Sequence, residues 1–168
     1  MKLLMLAAAL TALASPALAQ KSKDCGALPA AYAGVAFAGD GDTIVGVSPY
    51  PAIRLWGMNA PELRDAQKGE TIAGMRARAL VADLLAIADH KVACQPIEWD
   101  GYCRIVASCT TGQGTDITKA VLDAGLAYGF YLGKHPDRIE TAIVYSKAEA
   151  SARAHRRGLW KEWLGEDR

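Results

Sequence analysis

Five short segments of strand character, divided three and two by a single long helical segment, constrain this chain more than any other feature. Residues 32–37 are small and apolar, 43–47 carry β-branched side chains, and 53–58 read as a third strand. The turn Gly39-Asp40-Gly41-Asp42 parts the first two, and Ser48-Pro49-Tyr50-Pro51 parts the next pair; Gly, Asp and Pro there supply turn geometry that strands cannot. Residues 61–69 form a polar loop. A helix is then expected over 70–88, with Ala73, Ala77, Leu80, Leu84 and Ile87 recurring every three or four positions as its buried face and with Arg76 and Asp83 on the other side. Residues 91–97 and 103–109 read as a hairpin around Trp99-Asp100-Gly101.

Two more helices complete the order. Asp116 can cap the first, whose Ile117, Val121 and Ala124 share a face and which stops at Gly125. The second is expected over 137–157, stopped by Gly158, with Leu159, Trp160 and Trp163 docking beyond it. Strands and helices do not alternate as in a βαβ fold, and there is no glycine-rich phosphate loop, internal repeat or low-complexity tract. Five short strands with about three α-helices point to an α+β chain built on a small closed five-stranded barrel, for which the OB-fold is the natural candidate.

The first nineteen residues stand apart. Met1-Lys2 is a positive start, residues 3–13 are uncharged and apolar, and Ala17-Leu18-Ala19 has the form of a cleavage site. This predicts a secretory signal over 1–19; the apolar run is too short to cross about 30 Å of hydrocarbon. Residues 20–31 then read as a loose mature N-terminus and 32–168 as one domain. No later stretch is apolar enough to span a membrane, so the expectation is an exported monomer, periplasmic or secreted, without stable membrane association. In an oxidising compartment the even count of cysteines, Cys25, Cys94, Cys103 and Cys109, suggests disulfides. No Cys-x-x-Cys pair supports zinc.

The formal charge is +1, and loss of Lys2 with the leader makes it neutral. That argues against a tight non-specific nucleic-acid binder and leaves room for an enzyme that grips a few phosphates locally.

Chemistry-bearing residues fall at strand ends. Asp40 and Asp42 precede the second strand, Arg54 opens the third, Asn59-Ala60-Pro61-Glu62 closes it, and Arg104 follows the hairpin turn. Carboxylates, an amide and main-chain carbonyls suit a hard cation such as calcium. Arginine forks match phosphate oxygens, and a glutamate can orient or deprotonate water. Taken singly these features are weak: Asp-Gly-Asp-Thr is a common turn, and a strand arginine is commonly solvated or stacked. His90, His135 and His155 show no partner pattern and read as surface residues. Arg153, Arg156 and Arg157 read as a solvated helix face, and Trp56 as core or barrel surface.

Taken together, Gly39-Asp40-Gly41-Asp42-Thr43, Ile53-Arg54-Leu55-Trp56-Gly57-Met58-Asn59-Ala60-Pro61-Glu62 and Asp100-Gly101-Tyr102-Cys103-Arg104 resemble, in order and spacing, the staphylococcal nuclease (thermonuclease) family. Residues 121–127, 148–154 and Gly158-Leu159-Trp160 extend the resemblance over about residues 32–160. It implies an OB-like nuclease that uses one calcium ion to cut DNA, RNA or both. By motif, Asp42 would be a metal carboxylate with Asp40 supporting it, and Asn59 and the Ala60 carbonyl would be further ligands. Arg54 and Arg104 would bind phosphate and stabilise the transition state. Glu62 would position or activate water, and Tyr131 falls near the family's nucleotide-contacting tyrosine.

Three positions depart from the pattern. Asn59 stands where the family has Asp, which removes a charge worth roughly 4 kcal/mol against another at about 4 Å and an effective dielectric of 20; desolvation offsets much of that loss. Cys103 replaces a Gly beside Arg104, and Gly101 stands where Lys is common. Asn59 keeps a second class open, a module with the same fold that binds an oligonucleotide or protein without cutting, while Cys103, Gly101 and the neutral net charge argue for weaker nucleic-acid binding. Exported members of the family carry cysteines at positions like Cys94 and Cys109, which implies a Cys94–Cys109 disulfide and leaves Cys25 and Cys103 to pair or to stay as buried thiols.

Overall fold

A computed structural model describes residues 24–47 and 52–165. The expected leader, and the turn at 48–51, lie outside the described residues. Strands β1 (Tyr32–Ala38), β2 (Thr43–Gly46), β3 (Ala52–Leu55), β5 (Lys91–Trp99) and β6 (Ile105–Thr111) close a barrel in the order β1-β2-β3-β6-β5. All neighbours run antiparallel except β3 and β6, which are parallel. Ile44, Ile53, Leu55, Ile105 and Ala107 are fully or almost fully buried in its core. The α+β barrel expected from the strand order is therefore present.

The third strand is shorter than its sequence pattern. It breaks at Trp56-Gly57, and the chain re-enters pairing as β4 (Met58–Asn59), which joins β7 (Tyr128–Gly129) in a separate two-stranded sheet. Gly57 has φ +88° at the break, and apolarity alone does not register such a turn.

Helix α1 (Ile72–Ile87) starts at Thr71, whose Oγ accepts from the Gly74 N–H at 2.9 Å. Its buried residues are Gly74, Ala77, Val81 and Leu85. Of the face expected from sequence Ala77 is fully buried, but the rest is displaced by about one position: Ala73, Leu80 and Leu84 only border the core, and Ile87 is 67% exposed. Two small residues explain the shift. A Cβ on Gly74 would lie 2.3 Å from the Glu62 carbonyl oxygen, and one on Gly41 would lie 2.5 Å from the Ala77 Cβ. The helix therefore approaches through its smallest side chains and brings the Asp40–Asp42 turn and the Glu62 loop together.

Helix α2 (Ile117–Asp123) is capped by Asp116. A 3₁₀ turn (Pro136–Arg138) and α3 (Ile139–Ala154) occupy the span expected to be one helix, since Pro136 opens the turn and cannot extend an α-helix backwards. Tyr145 of α3 is buried, and its hydroxyl donates to Asp116 Oδ2 at 2.9 Å. Burial and the Asp116 charge push that phenol well above its ordinary pKa. Short α4 (Trp160–Trp163) closes the chain, with Leu159 and Trp160 buried and Trp163 41% exposed. No described helix is long and apolar enough to cross a membrane.

Other sequence expectations need correcting. Residues 24–31 carry no helix or strand, yet they are not loose. Cys25 is disulfide-bonded to Cys103, the Trp99 indole N–H donates to the Gly26 carbonyl at 3.1 Å, and Leu28 packs on the core. The second disulfide joins Cys94 and Cys109, cross-strand partners in β5 and β6, and a loop of that size contributes about 3 kcal/mol in the chain-entropy treatment. His90 and His135 are half-buried rather than surface residues. Arg157 is no solvated side chain: it donates to the Asp123 carbonyl at 2.6 Å and to Ser151 Oγ at 2.9 Å. Arg153 lies over the Trp160 ring.

Candidate active site

The barrel register brings the strand-end residues together. Thr43 pairs with Arg54 across β2 and β3, so Asp42 stands beside the start of the arginine side chain. Arg54 Nη1 meets Asp42 Oδ1 at 2.8 Å, with side-chain exposures of 15% and 5%. Its Nη2 donates to Asn59 Oδ1 at 2.5 Å and to the Met58 carbonyl at 3.3 Å. Asp42 Oδ2 accepts the Ala60 N–H at 2.8 Å, Oδ1 accepts from Thr43 Oγ at 3.2 Å, and the Asp42 N–H is held by Asp40 Oδ1 at 3.0 Å. Asp40, Asp42, Arg54, Asn59 and Ala60 thus form one connected cluster.

Electrostatics in this cluster are finely balanced. Burial raises Asp42 to about 6, with the Asp40 charge adding to the rise. The Arg54 charge and the Ala60 N–H oppose it without cancelling it. The carboxylate is therefore mainly ionised at neutral pH, and it needs Arg54 to stay so.

Arg104 reaches the cluster from the other side through Thr43, whose Oγ lies 3.5 Å from its Nη1. Its firm anchor is Asp100. The Arg104 Nε donates to Asp100 Oδ2 at 2.6 Å, and the Arg104 and Tyr102 N–H groups donate to Oδ1 at 2.9 and 2.8 Å. Burial pushes the Asp100 carboxyl up, but the hydrogen bonds from Arg104 and Tyr102, together with the Arg104 charge, outweigh it and hold the group below its ordinary value. The Cys103 N–H bonds to the Asp100 carbonyl at 3.1 Å, and Cys103 has φ +61°. An L-residue in that left-handed region costs roughly 1–2 kcal/mol, which is why Gly ordinarily fills the last position of such a turn.

Arg54, Asn59, Tyr102, Arg104, Tyr131 and Lys134 line a groove of about 420 Å³. Tyr131, placed near a nucleotide by the family resemblance, is 66% exposed and lies on that wall. Glu62 is the residue least joined to the site. It is exposed, and its carboxylate makes no hydrogen bond or ion pair among the described residues; its main chain is fixed by Thr71, which donates to its carbonyl at 2.6 Å.

Sequence reasoning missed three participants. Tyr128 accepts from Asn59 Nδ2 at 2.8 Å, a contact created by the two-residue pairing of β4 with β7 that no periodicity reveals. Thr43 links Asp42 to Arg104. Asp100 was legible as a turn former, since aspartate at a turn start commonly binds main-chain N–H groups two residues on, but its grip on the arginine guanidinium was not.

A family model described as Staphylococcal nuclease homologue matches residues 52–162. The chain belongs to that family. Arg54, Asn59, Ala60, Glu62 and Arg104 lie inside the matched span, whereas Asp40 and Asp42 precede it and are tied to it here by the contacts of the barrel rim. Membership supports nuclease-type chemistry on nucleic acid in general terms. No curated protein matches the chain.

The donor set tests whether a staphylococcal nuclease homologue of this sequence suits a cation. Among the described residues no three His, Cys, Asp or Glu side chains gather. The donors at hand, Asp42, Asp40, the Asn59 amide and the Ala60 carbonyl, are all oxygens. Asp42 Oδ2 accepts a single hydrogen bond, which leaves a lone pair. The residues therefore fit a hard cation in kind, with fewer charges than a strong calcium cage uses.

Proposed function

We propose that this chain is an exported phosphodiesterase that cleaves DNA or RNA, or both, with calcium as its metal ion. The observation that carries this reading is the convergence of two arginines on one groove, each fixed by a carboxylate and each keeping N–H groups in reserve. Among the described residues the Arg54 Nε and the Arg104 Nη2 have no acceptor in the fold. They are available to phosphate oxygens.

Asp42, with Asp40 behind it, and the Asn59 and Ala60 oxygens would hold the cation. When bound, it neutralises phosphate charge and sharpens the electrophilicity of phosphorus. The chain's own groups do the rest. Arg54 through its Nε and Arg104 through its Nη2 donate charge-assisted hydrogen bonds to the non-bridging oxygens, which strengthen as charge builds in the five-coordinate transition state. Asp42 and Asp100 fix the two forks beforehand, so little reorganisation remains when the reaction occurs. Glu62, exposed and unpaired, orients water and receives its proton as the water oxygen bonds to phosphorus and the opposite ester bond breaks. Tyr131 and Tyr102 offer ring faces to neighbouring bases.

The decisive experiment uses purified mature protein on plasmid and single-stranded substrates, with calcium or with chelator. Calcium-dependent degradation is expected, and Arg54→Ala or Arg104→Ala should each lower turnover by at least about a hundredfold. Unchanged turnover in both variants defeats the proposal.

One observation favours a second reading, a binding module without catalysis: Asn59 Oδ1 already serves Arg54, and its Nδ2 serves Tyr128. Asn59→Asp separates the two. If the parent is inert and the variant cuts, the natural chain has kept the fold and the grip on phosphate but lost the chemistry.

A further inference from the structure

The turn that presents Arg104 is built around the wrong residue for its geometry, and a covalent bond sits at that point. Residues 100–104 close the β5–β6 hairpin: the Cys103 N–H bonds to the Asp100 carbonyl at 3.1 Å, and the Asp100 N–H bonds to the Arg104 carbonyl at 3.0 Å. This arrangement places Cys103 at φ +61°, where a side chain is disfavoured and glycine is at ease. The Cys103 sulfur is bonded to Cys25, 78 residues earlier. Cys25 is itself held against the hairpin, because the next residue, Gly26, accepts from the Trp99 indole N–H at 3.1 Å and Leu28 packs on the core. The disulfide therefore ties the one disfavoured residue of the turn to a segment anchored on the same hairpin. Arg104 is the next residue along the chain.

We propose that the Cys25–Cys103 disulfide is a positioning element for Arg104, standing in for the glycine this turn would otherwise require and making cleavage dependent on the oxidised chain. The proposal rests on the nuclease reading only for its effect on cleavage. The Cys94–Cys109 bond joins two buried strand residues, 3% and 2% exposed, inside the barrel wall; it bears on the stability of the hairpin and not on the tip. Reduction of Cys25–Cys103 by a dithiol breaks the S–S bond with two electrons and two protons, gives two thiols, and leaves the reductant as its own disulfide. Cys103 is then free to leave the left-handed region. As the turn relaxes, the Arg104 and Tyr102 N–H groups drift from Asp100 Oδ1, and the guanidinium loses its fixed direction into the groove.

The test compares the oxidised parent, Cys25→Ser, and the double variant Cys25→Ser with Cys103→Gly. The first variant removes the bond and leaves a cysteine in the turn; the second restores a residue that accepts the conformation unaided. Two experiments are run: steady-state kinetics, giving kcat and KM on a single-stranded oligonucleotide, and the titration of the Asp100 carboxyl by NMR. Cys25→Ser is expected to lower kcat at least about tenfold, as small misplacements of positioned groups do, and to let Asp100 rise toward the ordinary carboxylate range. The double variant is expected to recover most of kcat, to return Asp100 to its depressed value, and to ignore added dithiol. Parent-like kcat in Cys25→Ser overturns the proposal. So does a double variant as slow as Cys25→Ser, because the bond would then act through the tethered segment rather than through the turn. If the parent cuts nothing, the nuclease reading fails by itself and the Asp100 titration still decides: an unmoved Asp100 in Cys25→Ser overturns the positioning role, and movement reversed by glycine upholds it.

Discussion

The two arginines line the same groove but are held in place by different physics. Arg54 grows out of a barrel strand, is paired across the sheet to Thr43, and is clamped between a buried carboxylate and the Asn59 amide. Arg104 stands at the root of a hairpin tip, anchored to an aspartate whose side chain is 17% exposed, next to a residue in the left-handed region that carries a disulfide. The first arginine is part of the fold's stability. The second is an attachment whose aim can change while the barrel stays intact.

The largest contrast should appear on truncating each arginine. Arg54→Ala strands Asp42 in a 5%-exposed position without its counter-charge. Loss of a buried partner typically costs about 3–5 kcal/mol, and a carboxyl already raised to about 6 can take up a proton and soften this to about 2–3. Arg104→Ala removes a side chain that is 31% exposed, so its stability cost should stay within about 1 kcal/mol. Denaturant midpoints for the two variants check the comparison directly. Equal losses would mean that Arg54 is no more embedded than Arg104.

Asp100 offers the next effect. Asp100→Ala deletes the acceptor of two main-chain N–H groups and of the Arg104 Nε, worth about 1–2 kcal/mol for groups that water can partly reach. The pH dependence follows from the depressed carboxyl. With its folded value below the unfolded one, Asp100 contributes stability that is full above the unfolded pKa of about 3.9 and is lost as pH falls through the folded value. The gap in melting temperature between the parent and Asp100→Asn should therefore be widest at neutral pH and should narrow in acid below the ordinary aspartate range. A gap that stays constant with pH would assign the stabilisation to the turn's neutral hydrogen bonds alone.

The same division explains what the sequence discloses. Strand order, turn positions and the chemistry-bearing motifs are local, so Asp42, Arg54 and Arg104 could be named before any coordinates. Which N–H or carboxylate each one meets is set by register. Tyr128 reaches Asn59 only because β4 and β7 pair for two residues, and no periodicity exists over so short a stretch. The displaced face of α1 has the same origin: Leu80 and Leu84 satisfy a hydrophobic count, but Gly74 and Ala77 are what let the helix approach the rim. The half-buried His90 and His135 and the anchored segment 24–31 were missed because tertiary contacts outweighed polar composition.

Gly74 turns that point into a prediction. A methyl there would stand 2.3 Å from the Glu62 carbonyl oxygen and 2.6 Å from the Leu63 Cα, both main-chain atoms that cannot rotate away. Gly74→Ala should cost about 1–3 kcal/mol through overpacking, despite alanine's better helix propensity. It should also displace Glu62 while leaving both arginines in place, so turnover should fall with little change in KM. A stabilised, fully active Gly74→Ala would show that the Glu62 loop yields, and that its position relative to the rim is unimportant.

The smallest expected effect lies at Tyr128. An amide's two ends fill nearly the same volume, so Asn59 is oriented by its partners: a guanidinium at Oδ1 and a phenol oxygen at Nδ2. Tyr128→Phe removes the second partner. Water replaces it at a position 39% exposed, so stability should fall by no more than about 0.5–1.5 kcal/mol, the usual worth of one hydrogen bond. The informative readout is the Asn59 side-chain amide resonance. In the parent it should report a single orientation, and in Tyr128→Phe it should broaden or shift as Nδ2 exchanges its phenol partner for water while Oδ1 stays on Arg54. An unmoved resonance would mean that Arg54 alone orients the amide, and the embedded half of the site would then be more self-sufficient than the contrast with Arg104 already requires.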